Sequence, residues 1–476
     1  MRRTTFIAAG LLGLGLLTPT SAASAAGETC RGEAATIVGS GPDVTGTEGR
    51  DVIVTGDSLR VSALGGDDLI CVVPGRTGSN VLYVDAGAGA DVVDTTSPQL
   101  TYYYVDTDLG PGADTLEGGP AGDWVDTGDV AGSQAEVDVV RGAAGNDDVT
   151  TPGGSDVVDL GPGTNRLVLH GPGITPEGRL TGGDSYDTLV MTVDARAVFD
   201  MAAGTYVGTA GSARFTSFES LDLDARGAEV TYTGTATDDH LTVETYGPDP
   251  STVVAETLGG DDHVTLDRTL LGPGSRIDVG AGRDELVAAR AHGSLSLDLR
   301  RDRSTVAGDT FTVAGLEDAF LMARTVTMEG DGQDNSLVAY ACRSSITGRG
   351  GDDELIWDGD YIFEEYHFTC TPRTVMRGGQ GKDSFYASRG EDRLFGGDGR
   401  DTLRGEGGDD RIRGGAGADE VRAGRGADDV RGGTGADKLF GEEGRDVLVG
   451  ERGRDLADGS AGRDRCRAER ERTCER

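Results

Sequence analysis

Gly396-Gly397-Asp398-Gly399-Arg400-Asp401-Thr402-Leu403-Arg404 reads as one unit of a nine-residue grammar, and its neighbours on both sides obey the same grammar. Ten copies run from Gly378 to Arg467. The fourth position is always glycine, as in Gly381, Gly390, Gly399, Gly408, Gly417, Gly426 and Gly435. The sixth is always aspartate: Asp383, Asp392, Asp401, Asp410, Asp419, Asp428, Asp437, Asp446, Asp455 and Asp464. The eighth is apolar or cysteine, from Phe385, Leu394 and Leu403 through Leu448 to Ala457 and Cys466. Glycine makes up 79 of 476 residues, so an unbroken column of it is not a composition effect.

One apolar residue in nine supports neither a helix stripe nor a long alternating strand. It does support a three-residue strand whose middle side chain points inward, with the other six residues turning the chain. Glycine supplies the turn conformations. Two nonads then make one coil, with one strand on each side. Stacked coils form two short parallel sheets around a thin core. The period also stacks aspartate over aspartate, as with Asp401 over Asp419, at roughly one strand spacing of 4.8 Å. Such carboxylates repel, and a glycine-rich chain loses much entropy on ordering. A hard divalent cation between turns relieves both problems. Ca²⁺ takes carboxylate and carbonyl oxygens, six to eight of them. Pairing each aspartate with the one two nonads later sets an upper limit of eight sites. The rival reading is a metal-free solenoid closed by Asx turns, but no asparagine or serine replaces the sixth-position aspartate.

The nonapeptide resembles the RTX (repeats-in-toxin) calcium-binding motif over residues 378–467. The resemblance implies a right-handed parallel β-roll with calcium in its turns. By position it implies side-chain ligands at the ten aspartates. It also implies backbone ligands at the neighbouring glycines Gly396, Gly399, Gly405, Gly408, Gly414, Gly417, Gly432 and Gly435. Ala387-Ser388 and Ala423-Gly424 replace the leading glycine pair in two copies, and Glu442-Glu443 and Glu451-Arg452 change the turn in two late ones. Arg400, Arg445, Arg454 and Arg463 place positive charge beside the turns, which weakens nearby cation sites. Occupancy is therefore expected to fade toward the end.

Residues 26–377 carry eroded versions of these turns: Leu64-Gly65-Gly66-Asp67-Asp68, Gly87-Ala88-Gly89-Ala90-Asp91, Leu258-Gly259-Gly260-Asp261-Asp262 and Gly350-Gly351-Asp352-Asp353. The interval from Asp91 to Asp114 equals that from Asp261 to Asp284, and Asp284 to Asp353 is three times as long. Coils of twenty-odd residues predict a wider parallel β-helix. This segment loosely resembles secreted actinobacterial proteins with degenerate RTX, or hemolysin-type, repeats. The expected fold is all-β, a parallel β-helix or β-solenoid ending in a calcium β-roll, with 468–476 as a cap.

The chain opens with Met1-Arg2-Arg3, a short apolar run and Ser21-Ala22-Ala23-Ser24-Ala25-Ala26, which reads as a signal peptide over 1–25. Six cysteines, an even number, suit an oxidising compartment. Six allow fifteen pairings; proximity suggests Cys30–Cys71, Cys342–Cys370 and Cys466–Cys474, the last capping the open end of the roll. A zinc site lacks any C-x-x-C pair. Net charge is −38, and −35 of it lies before residue 378. That field disfavours nucleic acid and anionic membrane and favours cations. No stretch after the signal reaches the length of a membrane span.

No H-E-x-x-H or G-x-S-x-G motif is present. Gly56-Asp57-Ser58-Leu59 looks like the opening of a GDSL hydrolase but lacks the later D-x-x-H, so it reads as a turn. Tyr246-Gly247-Pro248-Asp249-Pro250-Ser251 resembles the YGFDPH segment of mannuronan epimerases, with Ser251 where their acid/base histidine stands. The leading expectation is a secreted, non-catalytic calcium-binding protein with a structural or surface-interaction role. Calcium ions are its partners, and cell-surface or extracellular polysaccharide is a candidate partner. The alternative is a polysaccharide-active enzyme of the uronate epimerase or lyase type.

Overall fold

The computed structural model describes residues 28–475 apart from 74–80, 101–103, 129–135, 153–154, 170–177, 210, 246–248, 269–270, 291–292, 307–308 and 360–367. The signal segment and Tyr246-Gly247-Pro248 therefore lie outside the described residues. What is described is a β-solenoid whose coils each lay one strand on either of two long parallel sheets.

The nine-residue grammar explains the regular end directly. Thr402–Arg404 is a strand with only its middle residue, Leu403, buried. It pairs in parallel with Ser384–Tyr386 before it and Glu420–Gly426 after it. On the other sheet Arg393–Asp398 lies between Arg373–Gln380 and Arg411–Ala416. Leu394 faces Ile412 and Leu403 faces Val421, each pair two nonads apart, as the coil requires. Several strands run on into the turn and reach six or seven residues, as in Glu420–Gly426, longer than the three that the period alone predicts.

Inward side chains stack into one continuous core. Ile70, Val93, Leu116, Val140 and Val158 form one column in the irregular part, and Leu394, Ile412, Val430 and Leu448 form one in the roll. All are fully buried or nearly so. There is no break in pairing where the two parts meet, because Arg373–Gln380 pairs with Arg343–Gly350 on one side and with the roll on the other.

Coil length varies before residue 378. The stretch from Asp284 to Asp353 does contain three coils, but they are unequal. Glu317 stands 33 residues after Asp284, and two 18-residue steps follow through Asn335 to Asp353. The long coil carries an inserted antiparallel strand, Arg303–Val306, between Ser294–Asp298 and Asp309–Ala314. A second insertion places Thr205–Gly208 between Arg196–Asp200 and Ser212–Thr216.

The three disulfides join Cys30–Cys71, Cys342–Cys370 and Cys466–Cys474, the pairing that proximity suggested. Cys466 packs against the end of the core column, and Arg470–Arg472 pairs with Leu456–Asp458 across that end. Among the described residues no helix is long and apolar enough to cross a membrane.

Candidate metal centre

Each sixth-position aspartate sits where a turn enters a strand. Its Oδ1 accepts a backbone N–H from one coil earlier, that of an aspartate everywhere except at Asp392, which accepts from Thr374. On one edge the N–H of Asp383 bonds Asp401 at 2.9 Å, Asp401 bonds Asp419 at 2.9 Å, Asp419 bonds Asp437 at 2.9 Å and Asp437 bonds Asp455 at 3.0 Å. On the other edge Asp392, Asp410, Asp428, Asp446 and Asp464 are linked the same way, at 2.8–3.0 Å. All eight pairs foreseen at two-nonad spacing are present.

The second oxygen is the informative one. In Asp383, Asp401, Asp410, Asp419, Asp428, Asp437, Asp446 and Asp464, Oδ2 is buried with no hydrogen-bond partner. A buried carboxylate oxygen left unsatisfied is costly. Except at Asp428, whose turn opens with Ala423, these oxygens lie beside the first-position glycines. A Cβ built on Gly396 would collide with Asp401 Oδ2 and with the Gly414 carbonyl oxygen of the next coil. Gly405 faces Asp410 Oδ2 and the Ala423 carbonyl, and Gly414 faces Asp419 Oδ2 and the Gly432 carbonyl. Gly432 faces Asp437 Oδ2 and the Gly450 carbonyl. The fourth-position residues Gly399, Gly408, Gly417 and Gly435 have φ of +138°, +103°, +141° and +138°, and each packs on the glycine one coil earlier. Carboxylate and carbonyl oxygens thus converge at these turns. That donor set suits a hard cation such as Ca²⁺, and the residues present fit it.

Burial pushes these carboxyls up. Asp383, Asp392 and Asp437 rise to about 6, Asp401 and Asp428 to about 7, and Asp410 to about 9. Bonds from backbone amides oppose the rise, while stacked carboxylates add to it around Asp401, Asp410, Asp428 and Asp437. Asp419, Asp446 and Asp455 rise as well, again chiefly through burial.

Asp392 differs from the rest. Its Oδ2 accepts the Ser388 N–H at 2.8 Å and the Ser388 hydroxyl at 2.7 Å. The departure at Ala387-Ser388 therefore supplies from the chain what the other turns lack. Ser388→Gly recreates the Ala-Gly pair found at Ala423-Gly424, where Asp428 Oδ2 stays unpartnered. The variant should bind one more calcium per chain at saturation, read by equilibrium dialysis. Its metal-free stability should fall by about 1–2 kcal/mol. Unchanged stoichiometry would show that the hydroxyl does not close this turn. The other departures keep the turn shape at a conformational cost: Glu442 and Glu451 adopt φ of +73° and +71° in the glycine's place.

The same amide-to-carboxylate rung extends far beyond the ten nonads, through turns that the sequence marked as eroded copies. It links Asp51 to Asp68 and on to Asp91 and Asp114, and Asp239 to Asp262 and Asp284. Through Asn335 and Asp353 it joins Asp383. Asp68, Asp91, Asp147 and Asp353 also keep a buried, unpartnered Oδ2, and a Cβ on Gly142 or Gly348 would strike Asp147 or Asp353 as in the roll. At Asp147 and Asp353 the usable signal was a glycine five residues before the aspartate, whereas Asp68 and Asp91 have Ala63 and Ala86 there. By contrast Thr47 and Thr235 satisfy Asp51 and Asp239 as Ser388 does Asp392.

Among the described residues no group of three or more His, Cys, Asp or Glu converges. A cation held here draws on carboxylates of successive coils together with backbone carbonyls. Of the hydrolase-like and epimerase-like fragments, Ser58 is fully buried in a turn, its N–H bonding the Thr55 carbonyl at 2.9 Å. Ser251 is also fully buried; its hydroxyl donates to Ala225 O and accepts from Ala228 N–H, both at 3.2 Å.

The family model of the RTX calcium-binding nonapeptide repeat (4 copies) matches residues 135–167, 375–403, 395–430, 404–439 and 431–466. Repeats of this kind bind Ca²⁺. No curated protein matches the chain.

Proposed function

We propose that this is a secreted, non-catalytic calcium-binding repeat protein whose nonapeptide region, 378–467 with its cap at 468–476, folds on Ca²⁺ outside the cell. Its role is structural or one of surface interaction. The observation that carries the reading is the column of buried Oδ2 atoms without partners, all but that of Asp428 beside a glycine whose missing Cβ leaves room for oxygens to converge. The sixth-position aspartates are the side-chain ligands. Gly396, Gly399, Gly405, Gly408, Gly414, Gly417, Gly432 and Gly435 are the backbone ones. Bound Ca²⁺ supplies the positive charge that stacked carboxylates need. Oδ1 holds the coil register through the amide rung, and Oδ2 is left for the cation. Three disulfides suit an oxidising compartment, where calcium is plentiful. Burial of Ser58 and Ser251 supports the non-catalytic reading, since neither hydroxyl faces a substrate.

Metal-binding energy then becomes folding energy. Circular dichroism during a calcium titration should show a cooperative gain of β signal, with a midpoint near 10⁻⁴–10⁻³ M and no such gain with magnesium. Asp401→Ala or Asp419→Ala should raise that midpoint severalfold. Asp398→Ala, at an exposed third position, should not. Equal midpoints for Asp419→Ala and the unaltered chain would sink the ligand assignment.

A further inference from the structure

Aromatic residues are scarce here, and few large rings are exposed. Tyr83, Tyr104 and Trp124 are 44%, 45% and 39% exposed. They occupy three consecutive coils of one sheet, on Val81–Asp85, Tyr104–Asp108 and Gly122–Asp126. The rings of Tyr104 and Trp124 lie 5.4 Å apart, 29° from parallel. Gly122, directly across from Tyr104, makes room for it: a Cβ there would come 3.1 Å from the tyrosine ring. Tyr83 and Trp124 share one outward row, separated by Asp106, and so stand two strand spacings apart, about 9.6 Å.

Polar groups frame the rings. Asp85, Asp108 and Asp126 form the adjacent outward row. Each carboxylate is held: Asp108 accepts the Gly110 N–H at 3.1 Å, Asp126 the Gly128 N–H at 3.0 Å, and Asp85 the Ser62 hydroxyl at 3.5 Å. A groove of about 410 Å³ runs along Tyr83, Asp106 and Asp108 to Arg60 and Thr45. The ring-bearing row ends at both sides in an ion pair, Arg60–Asp43 at 3.6 Å and Arg166–Asp148 at 3.3 Å.

We propose that this face is a binding platform for a neutral, hydroxyl-rich glycan chain lying along the solenoid axis. The ring faces that Arg60 over Tyr83 and the Tyr104–Trp124 stack leave open can stack on the C–H faces of sugar rings, and two coils span about the length of two linked pyranoses. Sugar hydroxyls both donate and accept, and the platform offers fixed acceptors at the aspartates and donors at the arginines. A polyanion such as a uronate polymer meets four carboxylates, counting Asp106. A basic peptide meets Arg60 and Arg166 at the two ends of the row. The proposal names the partner class for the surface-interaction role above and rests on that reading.

The test is affinity electrophoresis of the full mature chain in calcium, through gels holding a β-glucan, a galactomannan, an arabinogalactan, polygalacturonate or poly-lysine. At least one neutral polysaccharide should retard the chain. Tyr83→Ala and Trp124→Ala should each weaken this about tenfold, with the calcium midpoint of folding unchanged. Trp124 and Trp357 are the two tryptophans, so in Trp357→Phe the emission of Trp124 should shift when that polysaccharide is added. Retardation by none of the neutral gels, by poly-lysine or polygalacturonate alone, or undiminished from that of the unaltered chain in both alanine variants overturns the platform. A chain that binds the glycan yet folds without calcium overturns the calcium reading and leaves the platform standing.

Discussion

Stripped of calcium at pH 8, the nonapeptide region should lose its β structure, and acidifying the same chelated sample to about pH 5 should bring it back. Most proteins do the reverse and unfold in acid, because their carboxylates are better satisfied in the folded state. Here the folded-state carboxyls of Asp383, Asp392, Asp401, Asp410, Asp428 and Asp437 lie at about 6 to 9, raised chiefly by burial. The unfolded value is near 3.9. A group raised on folding favours the folded state fully below its unfolded value, and that contribution disappears as pH rises through its folded value. The window is therefore about pH 4 to 9. Protons and calcium address the same oxygens, so the calcium midpoint should climb as pH falls from 8 to 6. Circular dichroism across pH in chelator and in calcium reads both trends. A metal-free chain that is folded at pH 8 and lost at pH 5 would refute the account of buried, unpartnered carboxylates.

Gly417→Ala should be among the most damaging single methyls in the protein. Gly417 has φ of +141°, and its added Cβ would run into the Gly399 carbonyl oxygen of the preceding coil. Backbone strain alone costs about 1–3 kcal/mol, and the collision forces two coils apart where their oxygens converge. The calcium midpoint should rise at least tenfold, or folding should fail at any calcium level. Gly407→Ala is the matched control: its φ is not in the left-handed region, and the nearest atom to its Cβ is the Arg425 carbonyl oxygen at 3.7 Å. That variant should stay within about 1 kcal/mol of the unaltered chain. Equal effects from the two substitutions would mean that the turns do not stack glycine on glycine as described.

The roll was legible because its period is exact in residue number. A fixed spacing puts Leu403 under Val421 and Asp401 under Asp419 without further information. The irregular part hid its own regularity for a physical reason. Its coils are closed by the same rung, but loops and inserted strands such as Arg303–Val306 add residues between rungs, so no single interval holds throughout. The rung itself also tolerates change, since Asn165, Glu219 and Glu317 accept the amide where aspartate usually does. Ser388 read only as a departure from glycine; that its hydroxyl satisfies Asp392 depends on a turn geometry no spacing rule contains. The exposed rings gave no signal either. Unequal lengths of chain separate Tyr83, Tyr104 and Trp124, and only the parallel register brings them onto one face.

The amide-to-carboxylate rung closes coils of 18, 22, 23, 24 and 30 residues alike. It counts turns, not amino acids, and works like the thread of a screw whose circumference is free while its pitch is set. Extra chain can bulge outward anywhere on the perimeter without disturbing the axis. Any coil's donor also matches any other coil's acceptor, so a whole turn can be duplicated or excised and the thread still engages. A molecule built this way is open-ended in length: near-identical turns at one end grading into diverged ones at the other are the pattern that growth by copying leaves behind.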